Sequence, residues 1–406
     1  MLKKTLVSLA LIGMTCASNA SNAGELVIAG RDSSYGKALQ FIADAYQQQH
    51  PDTKITLIQQ PGKALYDSLA LSMRAKNGNY DVIMLDDTWA PEFMQKGWLV
   101  SLPSSLASQP FIPSLARLGQ HAQHDYAVPM VGNVAMFAWN KAVFEQYQLA
   151  APTTWKSVKL AADRIHADQK MNGVVFRGVK GNPVVTGFLP LLWGYGADVI
   201  DADGKAALDT PQARQALDMF LSLKDAAPKG VNVYNADEVR DAMQKRSAAI
   251  ALEVWPAWVP DLDNPAISKV VNEMEITTPP SEIGKTAPML GIWQLAIPVT
   301  SKNPATAESF LSFAASETMQ KTLALEFGIP PTRAALYQDA ELVAKYRWYP
   351  AQLSALEHGK ARPRIQNWAE VESILGDYLQ LALNGQMNAE QALQQAQQRI
   401  SRALKS

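Results

Sequence analysis

Asp86 and Asp87, two adjacent carboxylates, close a short apolar run at residues 82–85, with the indole of Trp89 just behind them. Carboxylates can accept hydrogen bonds from the hydroxyls of a polyol, and an indole can cover its C–H face. The same aspartates also suit plain capping of the helix that follows. They do not read as a glycosidase pair, because neighbours on a strand point to opposite faces and cannot simply flank one scissile bond. A second indole, Trp255, directly follows the apolar run 250–254 and so stands at a strand terminus. Trp193 lies among glycines, where backbone can approach a ligand, and plain core suits it equally. Arg364 offers a guanidinium fork matched to vicinal oxygens, or an ordinary structural arginine.

Other chemistries lack their residues. The five histidines are scattered. His121 and His124 are three apart but have no cysteine and no helical glutamate between them, so no metal is expected. There is no Walker loop, no Gly-x-Ser-x-Gly elbow and no zincin motif, and no cofactor is expected. The chain reads as a binder and not an enzyme, with a secreted carbohydrate-active enzyme as the alternative from another class.

These side chains need a frame that brings strand ends to one edge. Residues 25–30 (ELVIAG) and 54–60 (KITLIQQ) read as buried strands. Between them a helix carries Leu39, Ile42 and Tyr46 inward, with Ser33 or Ser34 as N-cap. A second helix follows Pro61-Gly62 with Leu65, Leu69 and Met73 on one face. Strand, helix, strand, helix, strand predicts a parallel sheet with right-handed crossovers, and ligands sit outside the carboxyl ends of such strands. Asp32 and Tyr35, in the loop after the first strand, should share that edge with Asp86. Pro91 suits the first turn of a helix that Gly97 stops, and Thr154 suits an N-cap. Near the end, Trp368, Val371, Leu375, Tyr378 and Ala382 fall on one helix face, and Leu393, Ala396 and Ile400 on another.

With 406 residues, 48% of them hydrophobic, the chain can build two domains or one large bilobal body. A net charge of −1 gives no sign of a nucleic-acid partner. Residues 1–23 have the anatomy of a secretory signal: Lys3 and Lys4, an apolar stretch at 6–14, and the small-residue site Ser21-Asn22-Ala23. Cys16, the sole cysteine, lies inside that signal. The residues before it, Gly13-Met14-Thr15, resemble a lipobox poorly.

Six segments carry a family resemblance in their order: residues 80–102, 126–141 (with Tyr-Ala-Val-Pro and Asn140-Lys141), Pro152 to Trp155, 189–203, 243–258 and 291–298. Pro330-Pro331-Thr332-Arg333 and the two terminal helices continue it. The mature chain resembles the extracellular solute-binding proteins of bacterial ABC importers, of the maltose and multiple-sugar type. The resemblance implies an α/β, periplasmic-binding-protein-like fold, with two lobes, each a central sheet flanked by helices, and a ligand cleft between them. It places residues 24–130 plus 297–340 in one lobe and 131–296 plus 341–406 in the other. It implies a monomeric periplasmic receptor that binds a mono- or oligosaccharide and delivers it to the ABC permease membrane subunits. Trp293 matches a family tryptophan of the cleft, although Ile292 replaces the usual preceding glycine. The expected ligand-binding set is therefore Asp86, Asp87, Trp255, Trp293, Arg364, Tyr35, Asp32, Trp193 and Trp89. A polyamine, a phosphorylated polyol or a metal chelate on the same fold is the alternative.

The signal anatomy makes a first prediction: protein recovered from the periplasm starts near Gly24 and contains no cysteine. Intact-mass measurement checks it; a mass that retains residues 1–15, or a diacylglyceryl group on Cys16, contradicts it.

Overall fold

The structure is a computed structural model that describes residues 24–405, so the signal segment and Cys16 lie outside the described residues. Nine strands build two sheets. In chain order they are β1 (Glu25–Arg31), β2 (Lys54–Gln60), β3 (Val82–Asp86), β4 (Ala127–Val131), β5 (Met136–Asn140), β6 (Asn172–Val175), β7 (Ala248–Val254), β8 (Met274–Thr277) and β9 (Trp293–Ala296). The helices that position the site are α1 (Ser33–Gln49), α2 (Gly62–Ala75), α3 (Ala90–Gln95), α4 (Trp155–His166), α5 (Asn182–Gly194), α6 (Tyr349–His358), α7 (Trp368–Leu383) and α8 (Ala389–Ala403).

The first sheet runs β2-β1-β3-β9-β4. Helical crossovers make β1 parallel to β2 and to β3, as the strand–helix alternation predicts. β9 then inserts antiparallel between β3 and β4. The second sheet runs β8-β5-β7-β6. The fold is thus two lobes, each a sheet flanked by helices.

Hydrophobic periodicity explains most of the packing. Leu39, Ile42 and Tyr46 of α1 and Leu65, Leu69 and Met73 of α2 are buried in the first core, beside Phe310 and Leu323 from the helices after β9. Trp368, Val371, Leu375, Leu393 and Ile400 join the second core with Trp155, Phe188 and Phe220. Thr154 caps α4 in a capping box with Ser157. Pro91 occupies the first turn of α3, and Gly97 follows its end at φ +64°.

Two expectations are corrected. Neither Ser33 nor Ser34 caps α1, because Asp32 takes the N-cap position with extended backbone. The expected lobe boundary at 296/297 falls on the wrong side of β9. Main-chain pairing on both edges holds β9 inside the first sheet, and Val131 belongs to β4 of that sheet.

The chain passes between the lobes in three adjacent segments that hydrogen-bond to one another. Ala135 N–H donates to the Met289 carbonyl at 2.8 Å, Gly291 N–H to Asn133 at 3.0 Å, and Leu290 N–H to Lys360 at 2.9 Å. Under this ribbon, a third core joins Ile112 and Leu115 to Met136 and Val254, and to Trp348, Tyr349 and Leu356 of the α6 region. The third crossing, residues 359–367, continues into α7.

Trp368, only 1% exposed, fills the second core at the start of α7. Trp368→Ala should lower stability by about 3–5 kcal/mol, the range for a truncated core aromatic. Urea unfolding measures it, and a loss below about 1 kcal/mol would show that the α7 start is not anchored there.

Candidate functional site

A cavity of about 770 Å³ lies between the sheets, at the carboxyl ends of β1 and β3. Each strand sends its terminal side chain into the wall: Arg31 ends β1 and Asp86 ends β3. β9 is antiparallel to β3, with Trp293 opposite Asp86, so its first residue meets the same edge. From the second lobe, Trp255 follows β7 and Arg177 lies two residues beyond β6. Asn133, Gly291 and Arg362 come from the three crossings and form the floor.

The first-lobe wall is an aromatic cluster built around Trp293. Trp89 meets it edge-on at 5.4 Å, Tyr35 lies 6.0 Å away, and the Arg31 guanidinium sits over its face at 5.1 Å. Trp255 faces them from the other lobe. Its ring passes directly over Gly291, where an added Cβ would lie 2.5 Å from the indole, so only glycine leaves room for this approach.

Polar groups between the rings are held in fixed networks. Asp86 Oδ1 accepts from Thr88 N–H at 3.0 Å, Thr88 Oγ1 at 2.6 Å and Arg362 Nη2 at 2.8 Å. The same Nη2 donates to Asp87, and Glu372 lies 3.9 Å from Nη1. Asn182 Nδ2, at the start of α5, donates to Glu372 at 2.9 Å. Arg177 donates to Glu253 at 2.8 Å, to Thr186 at 3.0 Å and to Asn235 at 3.1 Å. Asn133 Nδ2 donates to the Tyr35 hydroxyl at 3.0 Å.

Burial opposes every charge here, and the outcome depends on the partners. For Asp86 burial works upward, but the Arg362 charge and the Thr88 hydrogen bonds outweigh it and hold the carboxyl below its usual value. For Asp87 burial dominates over Arg362, and with Asp86 alongside the carboxyl is pushed up to about 7. Burial likewise raises Glu372, and raises the Tyr35 phenol to about 12.

Every cation of the wall has a carboxylate of its own. Arg31 pairs with Asp32 at 3.4 Å, Lys63 with Asp67 at 2.8 Å and Lys180 with Asp377 at 2.9 Å. Arg177 pairs with Glu253, and Arg362 with Asp86 and Asp87. The cavity therefore presents donors, acceptors and ring faces, with no lining cation left without a carboxylate partner.

Of the sequence-derived candidates, Asp86, Trp89, Tyr35, Trp255 and Trp293 line this cavity. Four others do not. Asp87, 3% exposed, is packed behind Arg362. β3 ends at Asp86, and the turn that follows lets both carboxylates reach one nitrogen, so strand alternation does not separate them. Asp32 stands at the α1 N-cap beside Arg31. Trp193 belongs to the second core, where its Nε1 donates to Asp198 at 2.9 Å. Arg364 donates to the Leu118 carbonyl at 2.9 Å and lines a separate, smaller groove.

Sequence reasoning missed Arg31, Arg177, Asn133, Arg362 and Glu372. Arg31 and Arg177 follow apolar strand runs just as Asp86 does, so the strand-end rule was available for both. Arg362 shares its Arg-Pro-Arg with Arg364, and only the backbone path distinguishes the two.

The sequence model of the bacterial extracellular solute-binding protein family matches residues 30–321. A mannitol-binding protein of Pseudomonas aeruginosa is 27% identical over 418 aligned residues, covering 95% of this chain and 94% of that protein. The maltose-bound MalE3 of T. maritima superposes with a TM-score of 0.86 at 25% identity, covering 93% of this chain and 99% of that one. A solute-binding protein of Agrobacterium radiobacter K84, solved in complex with ribitol, also gives 0.86, at 24% identity and with 93% and 98% covered.

Gly291→Ala tests the floor. The indole must give way, so stability should fall by about 1–3 kcal/mol, the usual cost of overpacking, with a shift in tryptophan emission. Unchanged stability and emission would mean that the Trp255 ring does not rest there.

Proposed function

The chain belongs to the bacterial extracellular solute-binding protein family, and from that premise we propose that it is the receptor of an ABC importer for a neutral sugar or sugar alcohol. The observation that carries this reading is the composition of the cavity wall. Indole and phenol rings offer apolar faces, while each cation of the wall is already paired with a carboxylate. A polyol carries both hydroxyl donors and acceptors on an apolar carbon chain, and such a wall complements it without demanding a net charge. A phosphorylated polyol would need cations without a carboxylate partner, which this wall lacks. A cavity of about 770 Å³ has the size of a small-molecule site. The relative named for mannitol and the neighbours bound to ribitol and maltose support the same solute class.

The work of the protein on this reading is capture, not conversion. Each lobe supplies part of the wall, so solute favours the closed arrangement by contacting both at once, through its differential affinity for the two states. The closed surface is then what the permease subunits recognise. Export through the cleaved signal at residues 1–23 places the receptor, as a monomer, in the periplasm.

A thermal-shift panel tests the reading with mannitol, ribitol, glucose, maltose, sugar phosphates and spermidine. At 100 times its dissociation constant a solute should stabilise the fold by about 2.7 kcal/mol. Neutral polyols or sugars should give the shift. A response to spermidine alone, or to sugar phosphates alone, overturns the proposed solute class. Trp255→Ala should weaken binding of the active solute by roughly 2 kcal/mol or more, the scale of an aromatic anchor.

A further inference from the structure

Arg177 reaches the cavity with part of its donor set unused. β6 and β7 run parallel with Val175 opposite Ala251, so two residues further along each chain Arg177 and Glu253 come level. A guanidinium carries five N–H donors. Nε gives its one to Asn235, and Nη1 gives its two to Thr186 and Glu253. The other two both belong to Nη2, which has no partner among the described residues. Arg177 is only 9% exposed, and it borders the cavity.

The three engaged donors fix where the free pair points. Glu253 is 1% exposed, and a carboxylate so buried is tolerated only against a good partner. Thr186 gives its own hydroxyl proton to the Pro183 carbonyl at 3.1 Å, so it meets the guanidinium as an acceptor. All three holders belong to the second lobe, which therefore sets the aim of Nη2 by itself. The first lobe offers the opposite polarity. Asp86 Oδ1 is taken by Thr88 and Arg362, whereas its Oδ2 accepts from no donor among the described residues.

We propose that Arg177 is the second lobe's solute-binding donor, presenting the Nη2 hydrogens to hydroxyl oxygens of the solute, and that Glu253 is its positioning residue. Glu253 does not line the cavity and acts only by holding the guanidinium. A hydroxyl at this wall accepts, and one at Asp86 donates, so a polyol laid across the cleft uses both sides of its hydroxyl chemistry. Because Glu253 already matches the guanidinium charge, a neutral oxygen suffices. A long side chain fixed beforehand also avoids the cost of ordering it when solute arrives. The inference rests on the receptor reading of the same cleft.

The test is calorimetry with whichever of mannitol, ribitol, glucose and maltose gives the largest thermal shift. Arg177→Met keeps a long chain without donors and should raise the dissociation constant about tenfold or more, the scale of hydrogen bonds from a charged group. Glu253→Gln keeps the shape but loses the charge that holds Nη1, and should raise the constant at least about threefold. In the Arg177→Met background the same change should alter it by less than about twofold, because the two residues act as one unit. A Glu253 that merely supports the lobe would cost the same in both backgrounds. That result, or unchanged affinity in Glu253→Gln, overturns the positioning role. Arg177→Met leaves a buried carboxylate unpaired and can fail to fold. The double variant Arg177→Met/Glu253→Gln removes both charges and is then compared with Glu253→Gln, and equal affinity of the two overturns the donor role. If none of the four solutes binds the wild type, the receptor reading fails and takes this inference with it. If wild-type affinity survives in Arg177→Met, the inference fails alone.

Discussion

The guanidinium of Arg362 is shared between the lobes, and much of the cleft depends on where it is held. It arrives on the third crossing, beside the first two, and ends against Asp86 and Asp87 at the carboxyl edge of the first sheet. A charge so deeply buried is tolerated only with good partners, because desolvation costs several kcal/mol per ion. That requirement fixes where β3 must stop and how the following turn must run. It also fixes the path of residues 359–367 and, through Glu372 and Asn182, ties the starts of α7 and α5 to the same point.

A second guanidinium plays a matching part in the opposite wall. Arg177 is held by Glu253, Thr186 and Asn235, all of the second lobe, so its position does not depend on the first. The two arginines divide the cleft between a group held within one lobe and a group that spans both. Aromatic rings fill the space between them: Trp293 with Trp89 and Tyr35 on one side, Trp255 on the other. Such rings give broad contact at little cost in conformational entropy.

Much of this was legible in the residues. Apolar runs and helical spacing located the strands of the first sheet and the cores of α1, α2, α7 and α8, because burial imposes those periods directly. The strand-end rule found Asp86 and Trp255 for the same reason. It failed where local sequence does not encode the outcome. Asp32 follows a strand too, but the helix start claimed it. Trp193 sits among glycines, yet its ring turns into the core and its Nε1 finds Asp198. Choosing between Arg362 and Arg364 required the path of a crossing segment, which depends on residues hundreds of positions away. The boundary near β9 was misplaced because it was set at the end of a returning strand that already pairs inside the first sheet along its whole length.

β9 has a further meaning for the timing of assembly. It lies inside the first sheet, between β3 and β4, yet it is made long after both. Until it arrives, β3 and β4 have no strand to share, and the amino-terminal half of the chain remains an unfinished sheet with an open seam. A chain emerging from the ribosome therefore cannot close its first lobe early, and such non-local pairing is slow to form. For a chain made from its amino terminus, a keystone strand at residues 293–296 keeps the first lobe unlocked until well over half of the 406 residues have been made.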